Sequence, residues 1–310
     1  MPTLTGMELT VCLCTHNRPR YVADCLDGLA LQTVPRKRFQ TLIVDSGSTI
    51  AAHAELQILA TRYPQTTLIR LDQPGVSLAR NAGAQAAKTR FIAYIDDDAI
   101  PDPIWVAAIQ NALDEPGAQP AVIGGRILPK WEAPLPLWWP ASLRGVLSII
   151  EHEGQGEYRT PDLPAKLEPY AANMIVDVQA LLKAGGFGGN LGRHGTTLLS
   201  DEEVQLAWRL QDLGHSVRYD SRIVVHHQIQ ASRFRPEWLL ARLYWQGFST
   251  VLTRKTLGYR VAVWRELPRR LAVALLCAPL AAVPRSSTVL MGARWRLAYA
   301  TGYLQAAFRQ

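Results

Sequence analysis

Residues 91–98 read Phe-Ile-Ala-Tyr-Ile-Asp-Asp-Asp. The first five are apolar or aromatic with no polar face, as expected of a strand covered on both sides of a parallel sheet. The run then breaks into three consecutive carboxylates. Asp96, Asp97 and Asp98 repel one another and cost stability unless something positive sits among them. Hard oxygen ligands suit Mg²⁺ or Mn²⁺, and such ions commonly bridge one or two carboxylates to substrate phosphates. A solvated acidic turn ahead of the next helix is the plain alternative.

The same pattern recurs upstream. Residues 8–14, 41–45 and 67–71 read as strands, and 20–31, 50–62 and 78–88 as helices, the last capped by Ser77 after Pro74-Gly75. Alternating buried strands and helices predict an α/β chain, a Rossmann-type, mostly parallel sheet with helices on both faces. Ligands of such sheets bind beyond the carboxyl ends of the strands. The residues there are 15–18 (Thr-His-Asn-Arg), 45–48 (Asp-Ser-Gly-Ser) and the triple Asp. No GxGxxG follows the first strand and no GxxxxGK(S/T) occurs, so the usual phosphate cradles are missing. A metal-bridged diphosphate remains a natural way for this sheet to hold a nucleotide. Asp45 would accept from a ribose hydroxyl or a base N–H, or serve only as a turn residue before Gly47.

Farther on, Asp102 and Pro103 read as the cap and first residue of a helix to about Leu113, and 121–127 as a strand. Residues 129–169 are rich in Pro, Trp and Gly without a clear period. Trp131, Trp138 and Trp139 there offer flat faces to sugar rings or a lipid carrier, or pack the segment on the sheet. Asp177 caps a short helix ending at Gly185-Gly186. A second acidic cluster, Asp201-Glu202-Glu203, opens an amphipathic helix over 202–213, whose N-terminus keeps carboxylates ionised, as a general base must be. Charge complementarity alone also explains acids there. Residues 216–219 and 222–226 read as two short strands.

The chain has 310 residues, 48% hydrophobic and 19% charged, which excludes global disorder. Four cysteines are too few for a disulfide framework, and no cationic-then-apolar segment opens the chain; both lead us to expect a cytosolic setting. Charge is divided: residues 1–232 balance at −4 and residues 233–310 at +11. A basic, Trp-bearing tail suits an anionic surface. Its apolar run, 271–283, is shorter than the roughly 20 residues a membrane span needs, so an in-plane or re-entrant segment is expected.

The motifs form an ordered set: Thr15-His-Asn-Arg-Pro19, Val44-Asp-Ser-Gly-Ser48, Gly75-Val-Ser-Leu-Ala-Arg-Asn-Ala-Gly83 and Tyr94-Ile-Asp-Asp-Asp98. Ala171-Ala-Asn173, Gly185-Gly-Phe187, Asp201-Glu-Glu-Val-Gln-Leu-Ala-Trp-Arg209-Leu, and Val224-Val-His-His227 continue it. Over about residues 8–230 the chain resembles family 2 inverting glycosyltransferases with the GT-A fold. The resemblance implies metal binding at Asp98, with Asp96 and His227, by Mn²⁺ or Mg²⁺. It implies nucleotide-sugar contacts at Thr15, Asn17, Asp45, Arg80, Asp96 and Asp97. Counting back from Arg209 places the catalytic base at Glu203, with Glu202 as the alternative. The implied donor is a nucleoside-diphosphate sugar, UDP-linked by preference, and the acceptor a saccharide or lipid-linked hydroxyl in cell-surface polysaccharide synthesis. The expected domains are a glycosyltransferase body, 1–232, with a nucleotide-sugar half to about 128, and a basic helical region, 233–310. That region is expected to hold the enzyme at the inner face of the cell membrane.

Three other readings fit less well, one of them a non-catalytic member of the family serving as a scaffold, against which Asp98 and Glu203 speak. A sugar-1-phosphate nucleotidyltransferase would carry a Gly-rich basic loop after the first strand, and 15–19 contain no Gly. A nucleic-acid-binding protein using the tail would leave both acidic clusters unexplained, so no nucleic-acid partner is expected.

Overall fold

Strand β1 (Leu9–Thr15) lies parallel to β2 (Phe39–Ser46) on one side and β4 (Phe91–Asp96) on the other, and β3 (Thr66–Leu71) adds parallel to β2. The apolar cores of β1, β2 and β4 are buried, as their unbroken hydrophobic runs require. The structure is a computed structural model that describes residues 9–117, 119–164, 167–193, 197–261 and 288–309, with isolated positions 263, 268, 272 and 276.

Helices α1 (Pro19–Ala30), α2 (Ile50–Arg62) and α3 (Val76–Ala86) connect the parallel strands. Pro19 starts α1, where a missing N–H is harmless, and Val22, Cys25, Leu26 and Leu29 form its buried stripe. In α3, Gly83 lets the helix backbone approach β1 so closely that a Cβ there would overlap the Cys12 sulfur. The expected Ser77 cap is not formed. Helix α3 begins at Val76 behind Gly75, Ser77 is buried within its first turn, and the Gly75 amide donates instead to Ser46 Oγ at 2.8 Å. Helix α4 (Trp105–Leu113) likewise starts later than Asp102-Pro103, because Asp102 forms a turn first, accepting from the Ile104 and Trp105 amides. Cys12, Cys14 and Cys25 are free thiols.

Beyond β4 the sheet changes character. Strand β8 (Met174–Asp177) pairs antiparallel with β4 and with β6 (Val122–Trp131). Strand β9 (Val217–Ile229) pairs antiparallel with β5 (Ala99–Pro101) and β7 (Gln155–Glu157). The order is β3-β2-β1-β4-β8-β6-β9-β5. Parallel pairing is thus concentrated in the four strands of the first hundred residues. The two short strands expected after residue 215 are one, β9, continuous through Asp220-Ser221-Arg222, where Asp220 accepts from the Arg222 amide and guanidinium. Asp177 caps α5 (Val178–Lys183) as expected, and Gly185 and Gly186 leave that helix with positive φ.

The chain divides into two compact units. The larger comprises 1–130, 149–188 and 203–228; the smaller comprises 131–148, 189–202 and 229–310. The larger unit holds one extensive core around β1, β4 and the buried Trp105. Within the smaller, α7 (Pro236–Thr256) and α8 (Thr288–Phe308) pack through Phe248, Val251, Tyr303 and Ala306. Among the described residues no helix is long and apolar enough to cross a membrane. The expected in-plane or re-entrant segment 271–283 lies outside the described residues except at positions 272 and 276.

Candidate active site

Parallel register brings the strand ends level. Thr15 of β1 faces Asp45 of β2, and Cys14 of β1 faces Asp96 of β4. The loops that follow form one hydrogen-bonded rim in the larger unit. Asn17 takes a left-handed conformation (φ 57°), which Asn tolerates, and its amide donates to Ser48 Oγ at 2.8 Å. Its side-chain oxygen accepts from the Thr49 amide at 2.8 Å. His16 Nδ1 lies 2.8 Å from the Ser46 carbonyl and Nε2 3.0 Å from the side-chain Nδ2 of Asn17, which assigns its proton to Nδ1. Gly47 has φ 70°, and a Cβ there would press on the Pro74 nitrogen.

Asp45 is fully buried, with one oxygen 2.9 Å from the Ser48 amide and the other 2.6 Å from His53 Nδ1. His53 was not singled out from sequence. It stands one turn into α2, whose cap Thr49 orders the same loop. Carboxylate oxygens carry further lone pairs, so Asp45 retains capacity to accept from a ligand.

The three carboxylates separate. Asp96 is half-exposed and lies 3.4 Å from Arg80 Nη2. Asp97 and Asp98 are buried, and Arg18 forks between them: Nη1 to Asp97 at 2.6 Å, Nη2 to Asp98 at 2.7 Å. Thr15 Oγ1 donates to Asp97 at 2.7 Å. Antiparallel pairing of β5 with β9 sets Ala99 opposite His227 and brings His227 Nε2 within 3.3 Å of Asp98. The structure thus brings Thr15, Asp97, Asp98 and His227 together, while Asp96 turns to Arg80. Arg18 is the positive group that the triple Asp demands. A cation in the β1 loop, level with an acidic β4 terminus, was the available signal.

Burial pushes the Asp97 carboxyl up to about 7, with Asp98 adding to the rise and Arg18 and Thr15 opposing it. Burial opposes the Arg18 charge, but Asp97 and Asp98 outweigh it and hold the guanidinium charged. Asp98 Oδ1 and His227 Nε2 stand 3.3 Å apart, an oxygen and a nitrogen of the kind that could ligate a divalent cation alongside phosphate oxygens. No group of three or more His, Cys, Asp or Glu poised to hold a metal occurs among the described residues.

Arg80 is buried, and its guanidinium stands 5.6 Å above the Phe187 ring. Asn81 clamps Phe187 by two hydrogen bonds, 2.8 and 3.0 Å, and Arg209 of helix α6 (Glu202–Asp212) donates to the Gly186 carbonyl. Arg209 thereby braces the Gly-Gly-Phe loop beneath Arg80. Asn173 is also structural: its oxygen accepts from Trp105 Nε1 at 2.9 Å, and its nitrogen donates to the Arg126 and Ile223 carbonyls.

The acids at the start of α6 differ in surroundings. Asp201 (φ 73°) accepts from Ser200 Oγ at 2.9 Å and Gln246 Nε2 at 2.7 Å. Burial raises its carboxyl while Arg242, Gln246 and Ser200 pull it down. Glu202 is buried and Glu203 half-buried.

Residues 10–159 match the family model described as Glycosyl transferase family 2. They form a family 2 glycosyl transferase domain. The chain carrying that domain is 25% identical over 250 residues to a glucosyl-dolichyl phosphate glucuronosyltransferase of Haloferax volcanii, covering 78% of this chain and 76% of that protein. It is 25% identical over 279 residues to the succinoglycan biosynthesis protein ExoM of Rhizobium meliloti, covering 84% and 80%. Its fold is similar to that of the Pyrobaculum calidifontis mannosyltransferase PcManGT, solved with GDP-Man and Mn²⁺ (TM-score 0.57, 17% identity, 98% and 76% covered). It is also similar to S. aureus TarS 1–349, solved with UDP (TM-score 0.55, 15% identity, 98% and 92% covered). The glycosyl transferase domain thus occurs in a GT-A fold.

Proposed function

We propose that this glycosyltransferase moves a sugar from a nucleoside diphosphate, UDP by preference, to a hydroxyl of a saccharide or lipid-linked acceptor, inverting the anomeric centre. The buried Arg18–Asp97–Asp98–His227 cluster at the end of β4 carries the reading. Asp45, Asn17 and Thr15 line the level strand ends where base and ribose would bind. Arg80 offers positive charge on the same rim. A divalent cation held by Asp98 and His227, with Asp96 available from the neighbouring position, would neutralise charge on the departing diphosphate. Mn²⁺ and Mg²⁺ both suit the carboxylates.

Glu203 takes the proton of the acceptor hydroxyl as that oxygen bonds to the anomeric carbon and the bond to diphosphate oxygen breaks. One displacement inverts the centre, so an α-linked donor yields a β-linked product. Glu202 is the alternative base. The relatives act in polysaccharide and glycoconjugate synthesis, which supports a cell-surface product. The +11 balance of residues 233–310 supports attachment to an anionic inner membrane face, where lipid-linked acceptors reside.

Thermal unfolding with UDP, GDP and ADP, each with and without Mn²⁺, tests the donor site. Selective binding stabilises by mass action, so one nucleotide should raise the midpoint only when metal is present. Equal shifts without metal overturn the metal assignment, and no shift with any nucleotide overturns the donor site.

A further inference from the structure

Residues 134–140 read Pro-Leu-Pro-Leu-Trp-Trp-Pro, an apolar loop of the smaller unit. Three prolines fix φ along it, and the Trp139 amide closes a turn on the Pro136 carbonyl at 2.9 Å. Trp139 is the anchor: it is 5% exposed, with Phe234 and Trp238 rings 6.2 and 6.5 Å away. At the tip Leu137 is 100% exposed, and Trp138 beside it is partly exposed, 5.6 Å from Trp139. A single exposed Leu means little. A fully exposed Leu beside Trp, on a loop stiffened by proline and pinned by a buried aromatic, is a preformed apolar tip.

Charge identifies the occupant. The smaller unit balances at +10 over its 131–148, 189–202 and 229–310 stretches, whereas the larger balances at −3. Arg144 and the exposed Arg235 belong to the elements that flank and anchor the loop, against Glu132 and Glu237 there. An aliphatic tip, an adjoining Trp and a strongly basic body form the pattern of an interfacial membrane anchor. A saccharide would use the indole face and leave Leu137 in water.

We propose that the 134–140 loop inserts Leu137 and Trp138 into an anionic lipid surface and so fixes the smaller unit on the bilayer. The proposal rests on the membrane reading above for its partner. It differs in the residues that act: the tail contributes charge and the apolar run 271–283, the loop the burial of Leu137 and Trp138.

The test is co-sedimentation of the full chain with phosphatidylcholine vesicles, with and without phosphatidylglycerol, at low and high salt. Wild type should bind the anionic vesicles and keep a salt-resistant fraction. Leu137→Asp should lower the partition coefficient about 10-fold or more, from the lost apolar burial. Leu137→Phe should retain binding, and both variants should keep the wild-type melting midpoint. Leu137→Asp binding equal to wild type at both salt concentrations overturns the loop and leaves the tail standing. No binding of wild type to any vesicle overturns both.

Discussion

Replacing Arg18 by Met tests whether the guanidinium holds the acidic site together. The fork satisfies two carboxylates that are only 5% and 3% exposed, at 2.6 and 2.7 Å. Removing one partner of a buried pair destabilises by about 3–5 kcal/mol. Protonation limits the loss, because Asp97 already titrates at about 7 and rises further without Arg18. The sign follows. A carboxyl raised by folding binds its proton more tightly in the native state, so its ionisation weakens the fold as pH rises through its native value. Well below pH 7, wild type and variant both hold a neutral Asp97 and differ least. Above it, only the variant ionises without a partner, and the gap widens. At about 2–4 °C per kcal/mol, the loss above pH 7 is on the order of 10 °C in unfolding midpoint. Thermal unfolding monitored by circular dichroism across that pH range measures it. Mn²⁺ should raise the variant's midpoint more than wild type's, since the cation restores the missing positive charge. An Arg18→Met protein with an unchanged midpoint above pH 7 would refute the reasoning.

Asp98→Asn should leave the protein folded and abolish Mn²⁺-dependent nucleotide stabilisation; equal stabilisation in calorimetric titration removes Asp98 from the metal site. Glu203→Gln should reduce turnover by about 10²–10⁴-fold with nucleotide affinity retained. Glu202→Gln is its control, and if that change is the crippling one, the base is Glu202. Asn173→Ala should lower unfolding free energy by at least ~3 kcal/mol, because Trp105 Nε1 and two carbonyls lose a buried partner at about 1–3 kcal/mol each; denaturant titration reads this. Truncation after residue 232 should reduce membrane association but also loosen the remaining chain, measured by limited proteolysis. It strips Trp238 from Trp139, Ser249 from the Ser200 amide and Gln246 from Asp201.

The four parallel strands and their crossover helices were legible in sequence because their signal is local: unbroken apolar runs, a proline at a helix start, a carboxylate at the ends of β2 and β4. The same signal located Thr15, Asn17, Asp45 and the triple Asp, since parallel strands terminate together along one edge. It also reached the α6 acids and the Asp177 cap, which are short-range features. What the sequence could not determine was which charges meet. Arg18 lies about eighty residues before the carboxylates it bridges, and only pairing of β1 with β4 brings them together. His227 reaches Asp98 because the three residues of β5 pair antiparallel with β9, a choice no local pattern encodes. The 129–169 stretch looked structureless for the same reason. Its prolines and tryptophans show no period, and only Phe234 and Trp238, about a hundred residues later, supply the aromatic partners beside which Trp139 is buried while Leu137 stays in solvent.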